Sequence, residues 1–186
     1  YSHHRVMICE VMGRDSGWIG LLGGLSGGAD VILIPEERFK ISNVKERIKE
    51  REASGRHFSI VAVAEGAKPQ ELDQQITQEA ETDEFGHARL GGIGHYLADQ
   101  LRNILDMPIR VTELAYLQRG GRPTAFDRLL GTRCGVSAVE FLLDGKFDVM
   151  TAFQGNEIVP VELEIVVGNS PKPIGDNLIR MKELFY

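Results

Sequence analysis

Three arginines fall within ten residues in the stretch Arg119-Gly120-Gly121-Arg122-Pro123-Thr124-Ala125-Phe126-Asp127-Arg128, beside a glycine pair, a proline and a helix start. Guanidinium groups next to glycine backbone and a helix N-terminus suit an anion, because the planar fork binds phosphate or carboxylate oxygens in pairs. Arg119, directly before Gly120-Gly121, is the candidate bidentate ligand. A second basic turn, Met12-Gly13-Arg14-Asp15-Ser16-Gly17-Trp18, follows an early apolar run. There Gly13 and Gly17 are expected to let backbone N–H groups approach a ligand, while Arg14 supplies a fixed positive fork. Glu65, in Ala64-Glu65-Gly66-Ala67, ends another apolar run, and its carboxylate suits the hydroxyls of a sugar. Arg110 stands on a fourth run. Taken singly, each residue also fits a plain structural reading: a strand–helix loop, a solvated strand end, an ion pair with a helix carboxylate, or surface arginines. His57, His87 and His95 are scattered and expected to be structural or exposed, and Trp18 is expected in the core.

The elements that must position these groups alternate. Val6–Val11, Val31–Pro35, Ser59–Ala64 and Ile109–Leu114 are short and β-branched enough to be strands buried on both faces. Between them lie helical segments at Trp18–Ser26 and Val44–Ala53. A longer helical stretch runs from Glu71 to Leu105, broken near Asp83–Gly86 and re-entered at Gly91–Gly94. Thr124 to Leu143 reads as one helix, opened by a Thr124…Asp127 capping box. Asn169–Asp176 reads as a loop before a short C-terminal helix. Such alternation predicts an α/β fold, a mainly parallel sheet with helices on both faces, whose ligands sit at the carboxyl ends of the strands. All four chemical features are expected at that end.

Composition sets the outer limits. The chain has 186 residues, 42% of them hydrophobic and 26% charged, which suits one good globular core. A net charge of −6 argues against general nucleic-acid or membrane-surface binding, so local basic clusters carry the information. Cys9 and Cys134 have no metal-ligand spacing and suit a reducing compartment. No apolar run of eighteen residues or signal peptide is read, so a cytoplasmic location is expected. Tyr1 with an apolar run almost at once suggests a piece of a longer polypeptide. The glycine runs Gly20–Gly28 and Gly91–Gly94 match neither a dinucleotide fingerprint nor a P-loop. Pattern alone therefore predicts a binder of a phosphorylated or hydroxylated small molecule.

Glu10-Val11-Met12-Gly13-Arg14, then Ala64-Glu65-Gly66, then Leu117-Gln118-Arg119-Gly120-Gly121 with Pro123 and Asp127-Arg128, in that order, resemble the 6-phosphofructokinase family from about Ser2 to the end. The resemblance implies a Rossmann-like three-layer fold. It also implies the C-terminal portion of a kinase acting on the 1-hydroxyl of fructose 6-phosphate, mainly its sugar-phosphate domain. Residues of roughly 115–160 would return to an N-terminal donor-binding domain. Met12, Gly13 and Arg14 would contact the sugar phosphate, with Arg14 also near the transferred phosphoryl group. Glu65 would bind the sugar, and Tyr116 and Arg119 the 6-phosphate. Arg5 and Arg110 would reach the same phosphate in a neighbouring subunit, which implies a homodimer or homotetramer with shared sites. Magnesium with ATP or pyrophosphate would be the donor, bound mostly outside this chain.

Three departures qualify the match. Tyr116 stands where the family often has a histidine, so a hydroxyl replaces a group able to become cationic. Asp30 matches an effector-binding acid, but around Ser54–Phe58 only Arg56 is clearly basic, which weakens the case for allosteric control. The family's glycine-rich donor loops and its catalytic aspartate, in a Thr-Ile-Asp-Asn-Asp type motif, are not in these 186 residues. The chain alone is therefore expected to be inactive, and both donors stay open. A non-catalytic sugar-phosphate or regulatory module is the second reading, and a dinucleotide-dependent oxidoreductase, lacking its fingerprint, the third.

Overall fold

A computed structural model describes residues 4–72, 76–82 and 88–185. Two compact units share the chain: Tyr1–Gln118 with Ile174–Tyr186, and Arg119–Pro173.

The first unit is built on β1 (Arg5–Val11), β2 (Val31–Leu33), β3 (Phe58–Ala64) and β6 (Ile109–Glu113), in the order β2-β3-β1-β6. All pairings are parallel: Arg5 lies opposite Phe58, Val11 opposite Ala64, and Met7 opposite Arg110. The expected burial on both faces holds for β2 and most of β3. It is corrected for β1, which alternates half-buried and buried residues, and for β6, an edge strand where only Ile109 is buried. Helices cover both faces, as the alternation of elements predicts. On one face Val6, Ile8, Val61 and Val63 pack with Val44 and Ile48 of α2 (Ile41–Ala53) and Leu97 and Leu101 of α3 (Ile93–Arg102). On the other, Ile32 and Ala62 pack with Leu21 of α1 (Trp18–Gly27), half-buried Trp18, and Leu178 and Ile179 of α6 (Asp176–Phe185). The Gly20–Gly28 run belongs to this packing: a Cβ on Gly24 would lie 2.7 Å from the Ile32 side chain. Its glycine lets α1 approach the sheet closely.

The expected helical stretch from Glu71 is corrected in its first half. Thr77–Thr82 and Ala88–Leu90 form an antiparallel pair, β4 and β5, before α3 begins. The sequence Thr77-Gln78-Glu79-Ala80-Glu81-Thr82 has no apolar stripe for a helix to bury and carries threonine at both ends, which favours extended chain. The break expected near Asp83–Gly86, and His87, lie outside the described residues.

In the second unit α4 (Ala125–Leu143) is opened by the expected capping box. The Asp127 N–H donates to Thr124 Oγ1 (3.2 Å), while the Thr124 N–H and hydroxyl donate to Asp127 Oδ2 at 2.8 and 2.7 Å. These bonds, the Thr124 hydroxyl first, hold the exposed Asp127 carboxyl below the usual aspartate value. An antiparallel hairpin follows, β7 (Val149–Gln154) and β8 (Glu157–Glu162), then the short helix α5 (Leu163–Gly168). The Arg133 guanidinium donates to the Asn156 carbonyl (2.6 Å) and sits over the Phe153 ring. No residue of α4 is buried, and Phe126, Leu129, Val136, Val139 and Leu142 are all more than half exposed.

Candidate functional site

The carboxyl ends of β1, β3 and β6 gather most of the predicted chemistry. The Glu65 N–H donates to the Val11 carbonyl and the Gly66 N–H to the Gly13 carbonyl, both at 2.9 Å, so the loops leaving β1 and β3 run side by side. A Cβ on Gly66 would lie 1.9 Å from the Arg14 carbonyl oxygen, so only glycine fits that crossing. Met12, Gly13, Arg14 and Glu65 thus share one surface, all half-buried. From the β6 side, the Leu114 N–H donates to the Glu10 carbonyl (3.0 Å), and the 3-10 turn Ala115–Arg119 follows. That turn carries exposed Tyr116 and ends on exposed Arg119, the first residue of the second unit.

The expectation that Gly13 and Gly17 offer free N–H groups to a ligand is corrected. The Gly13 N–H donates to Glu65 Oε1 (3.3 Å), and the Met12 N–H to Gln118 Oε1 (2.7 Å). The Gly17 N–H, at the start of α1, donates to both oxygens of Glu36 (2.8 and 3.1 Å), which also accepts from the Ser16 hydroxyl. At α3, buried Glu10 accepts from the Gly92 N–H (3.0 Å) and the Gly94 N–H (2.8 Å). Burial raises the Glu10 carboxyl above its ordinary value, the Gly94 and Gly92 donors oppose that, and nearby Glu113 and Glu65 add to it. Helix N-termini attract anions through unpaired N–H groups and the helix dipole. Here the protein's own carboxylates fill both positions.

Glu10, Glu36 and Gln118 were not singled out by sequence. Glu10 had one signal, as an acid inside the apolar run Val6–Val11. Glu36 and Gln118 act on partners 19 and 106 residues away, and nothing local marks them.

Arg110 is also corrected in place, and Arg5 lies at the same end. Arg110 is the second residue of β6 and Arg5 the first of β1, so both stand at the amino edge of the sheet, not beside the Met12–Arg14 turn. At about 3.3 Å per residue, Arg5 begins roughly 23 Å from Met12 along β1, and Arg110, opposite Met7, roughly 16 Å. Register puts the two arginines on one face of adjacent strands, because Arg5 and Met7 alternate to the same side. Arg110 is exposed and Arg5 half-buried. Nearby, Asp30 is engaged internally: Arg51 lies 2.8 Å from Oδ1, and the Ile60 N–H donates to Oδ2 at 2.8 Å. Exposed His57 stacks on His4, and exposed His95 lies 3.2 Å from Glu113. A cleft of about 510 Å³ along β2, lined by Leu33, Glu37, Arg38, Arg47 and Lys182 among others, contains none of the candidate residues.

Arg14 and Glu65 bring opposite charges to one surface. That pair suits a ligand with an anionic part and a hydroxyl-bearing part, the combination a sugar phosphate presents. Among the described residues no cluster of three or more His, Cys, Asp or Glu is placed to hold a metal ion, and no helix is long and apolar enough to cross a membrane.

The phosphofructokinase family pattern matches residues 1–142. The ATP-dependent 6-phosphofructokinase of Chloroflexus aggregans is 45% identical over 185 residues, 98% of this chain and 50% of that protein. The pyrophosphate–fructose 6-phosphate 1-phosphotransferase of Dictyoglomus thermophilum is 42% identical over 169 residues, 91% of this chain and 49% of that protein. Among solved structures, Pichia pastoris phosphofructokinase superposes with a TM-score of 0.73 at 32% identity, covering 99% of this chain and 18% of that one. The chain spans about half the length of the curated relatives it matches.

Proposed function

The chain belongs to the phosphofructokinase family, and from that premise we propose that the complete protein is a 6-phosphofructokinase. It transfers a phosphoryl group to the 1-hydroxyl of fructose 6-phosphate, giving fructose 1,6-bisphosphate, and this chain supplies the sugar-phosphate site. The observation that carries the reading is the carboxyl-edge surface where Arg14 and Glu65 stand on loops locked to one another. Arg14 and Arg119 hold the phosphate ester, with the Tyr116 hydroxyl beside it, and Glu65 orients the sugar hydroxyls. Met12 and Gly13 shape the turn. Phosphoryl transfer depends mostly on positioning and electrostatic stabilisation, and that is what these residues contribute.

ATP or pyrophosphate, with magnesium, is the phosphoryl donor, bound mostly by parts of the protein outside this chain. Relatives with each donor match at similar identity, 45% and 42%, so likeness does not choose between them. Residues of roughly 115–160 belong with the donor-binding domain. The exposed apolar residues of α4 support this, since a helix apolar around its circumference needs further cover. Arg5 and Arg110 complete the phosphate site of a neighbouring subunit in a homo-oligomer; their place at the amino edge, far from their own turn, supports this. The enzyme acts in glycolysis in the cytoplasm, with neither nucleic acid nor membrane as partner.

Assay of the complete protein with fructose 6-phosphate, magnesium and either donor tests the proposal. Formation of fructose 1,6-bisphosphate is expected with one of them. Tight fructose 6-phosphate binding with no turnover on either donor would replace it with a non-catalytic sugar-phosphate module.

A further inference from the structure

The Met12-Gly13-Arg14 turn is tied to the rest of the site by two side chains of different strength. Glu65 accepts from the Gly13 N–H at 3.3 Å, whereas Gln118 accepts from the Met12 N–H at 2.7 Å, the shorter bond. Gln118 comes to Met12 from 106 residues away. The path that brings it there is constrained: the Leu114 N–H is bound to the Glu10 carbonyl, and the Leu117 N–H to the Leu114 carbonyl. Ala115, between them, sits at φ 36°, a left-handed conformation that a residue with a Cβ adopts only when its surroundings hold it there. A strained residue is thus retained where it returns Gln118 to the loop after β1. Gln118 is also the residue before Arg119 and two after Tyr116.

We propose that Gln118 is a positioning residue, whose side-chain oxygen fixes the Met12–Arg14 turn relative to the segment carrying Tyr116. Breaking the bond frees the turn by a fraction of its length and leaves every charged ligand present. The inference rests on the sugar-phosphate reading of this surface.

The test compares Gln118→Ala with Gln118→Glu, which keeps an oxygen at similar reach, in the complete protein. Two quantities are measured: kcat and KM for each substrate, and hydrogen exchange at the Met12 amide. Gln118→Ala is expected to lower kcat/KM for fructose 6-phosphate on the order of ten- to a hundred-fold, with the KM for the donor unchanged. Gln118→Glu is expected to restore most of that loss. Exchange at Met12 accelerates in the alanine variant and stays slow in the glutamate variant. If the alanine variant matches wild type, if both variants lose activity equally, or if both substrates weaken together, the positioning role is overturned. If the wild-type protein does not act on fructose 6-phosphate at all, the functional reading fails separately. The Met12 exchange rates then still decide whether Gln118 holds the turn, and unchanged rates in the alanine variant would overturn it.

Discussion

The two edges of the four-stranded sheet carry similar residue types and use them in opposite ways. At the carboxyl edge, buried Glu10, half-buried Glu65 and exposed Glu36 take up backbone N–H groups of the loops beside Arg14. At the amino edge the acid Asp30 is bound to Arg51, while Arg5 and Arg110 share a face of β1 and β6. At one edge, side-chain carboxylates satisfy the N–H groups that open α1 and α3. The other edge presents guanidinium groups for which its own strand ends hold no matching turn. The proposed function asks both edges to serve one phosphate ester, and geometry separates them within one chain.

The largest effect should come from disturbing the carboxyl edge. Gly66→Ala forces a Cβ into the Arg14 carbonyl, and displacement of the turn by about an ångström should lower kcat/KM for fructose 6-phosphate on the order of a hundred-fold. Steady-state kinetics of the complete protein checks this; wild-type kinetics would mean that the turn is not the binding surface. Next, Arg119→Lys removes the fork but keeps the charge, and should weaken fructose 6-phosphate binding by about 1.5–3 kcal/mol. An unchanged KM would return Arg119 to the surface.

Arg51→Ala probes the amino edge in the opposite sense. It leaves partly buried Asp30 with only the Ile60 N–H, so the unfolding free energy should fall by roughly 1–3 kcal/mol. The KM for fructose 6-phosphate should stay the same, and a matching rise in KM would erase the distinction between the edges.

The smallest effect is in pH. Glu10 binds its proton more tightly folded than unfolded, so its contribution is fully present below the ordinary glutamate value and is lost as pH rises through its raised value. Glu10→Gln cannot titrate, so the stability of wild type relative to this variant should decline from about pH 4 upward toward neutrality. Denaturant titrations across that range read the slope, and a gap that widens with pH would contradict the assigned direction.

The sheet was legible because strands buried on both faces leave unmistakable runs, as in Val31-Ile32-Leu33 and Ser59–Ala64. The Thr124–Asp127 cap was legible because its two partners are three residues apart. The long-range locks were not: Gln118 and Met12, or Glu36 and Gly17, meet only after the sheet has ordered its strands. Arg110 was assigned to the wrong edge although its place as second residue of the Ile109–Leu114 run already put it at the amino end of a parallel strand. The β7–β8 hairpin went unread although Gln154-Gly155-Asn156-Glu157, between apolar stretches, carries a two-residue turn signal. Thr77–Thr82 was misread because a polar segment has no periodicity to decide between helix and strand.

We propose that the two edges complete one another across subunits, and mixing two variants of the complete protein reads this out. Arg119→Ala damages the carboxyl-side ligand and Arg110→Ala the amino-edge one, and each alone should be severely impaired. In a mixed dimer one site collects both defects and the other has neither, so activity should recover to a fraction of wild type once subunits exchange. Hybrids shown to form by mass, yet no more active than either parent, would contradict the claim and return Arg110 to its own subunit.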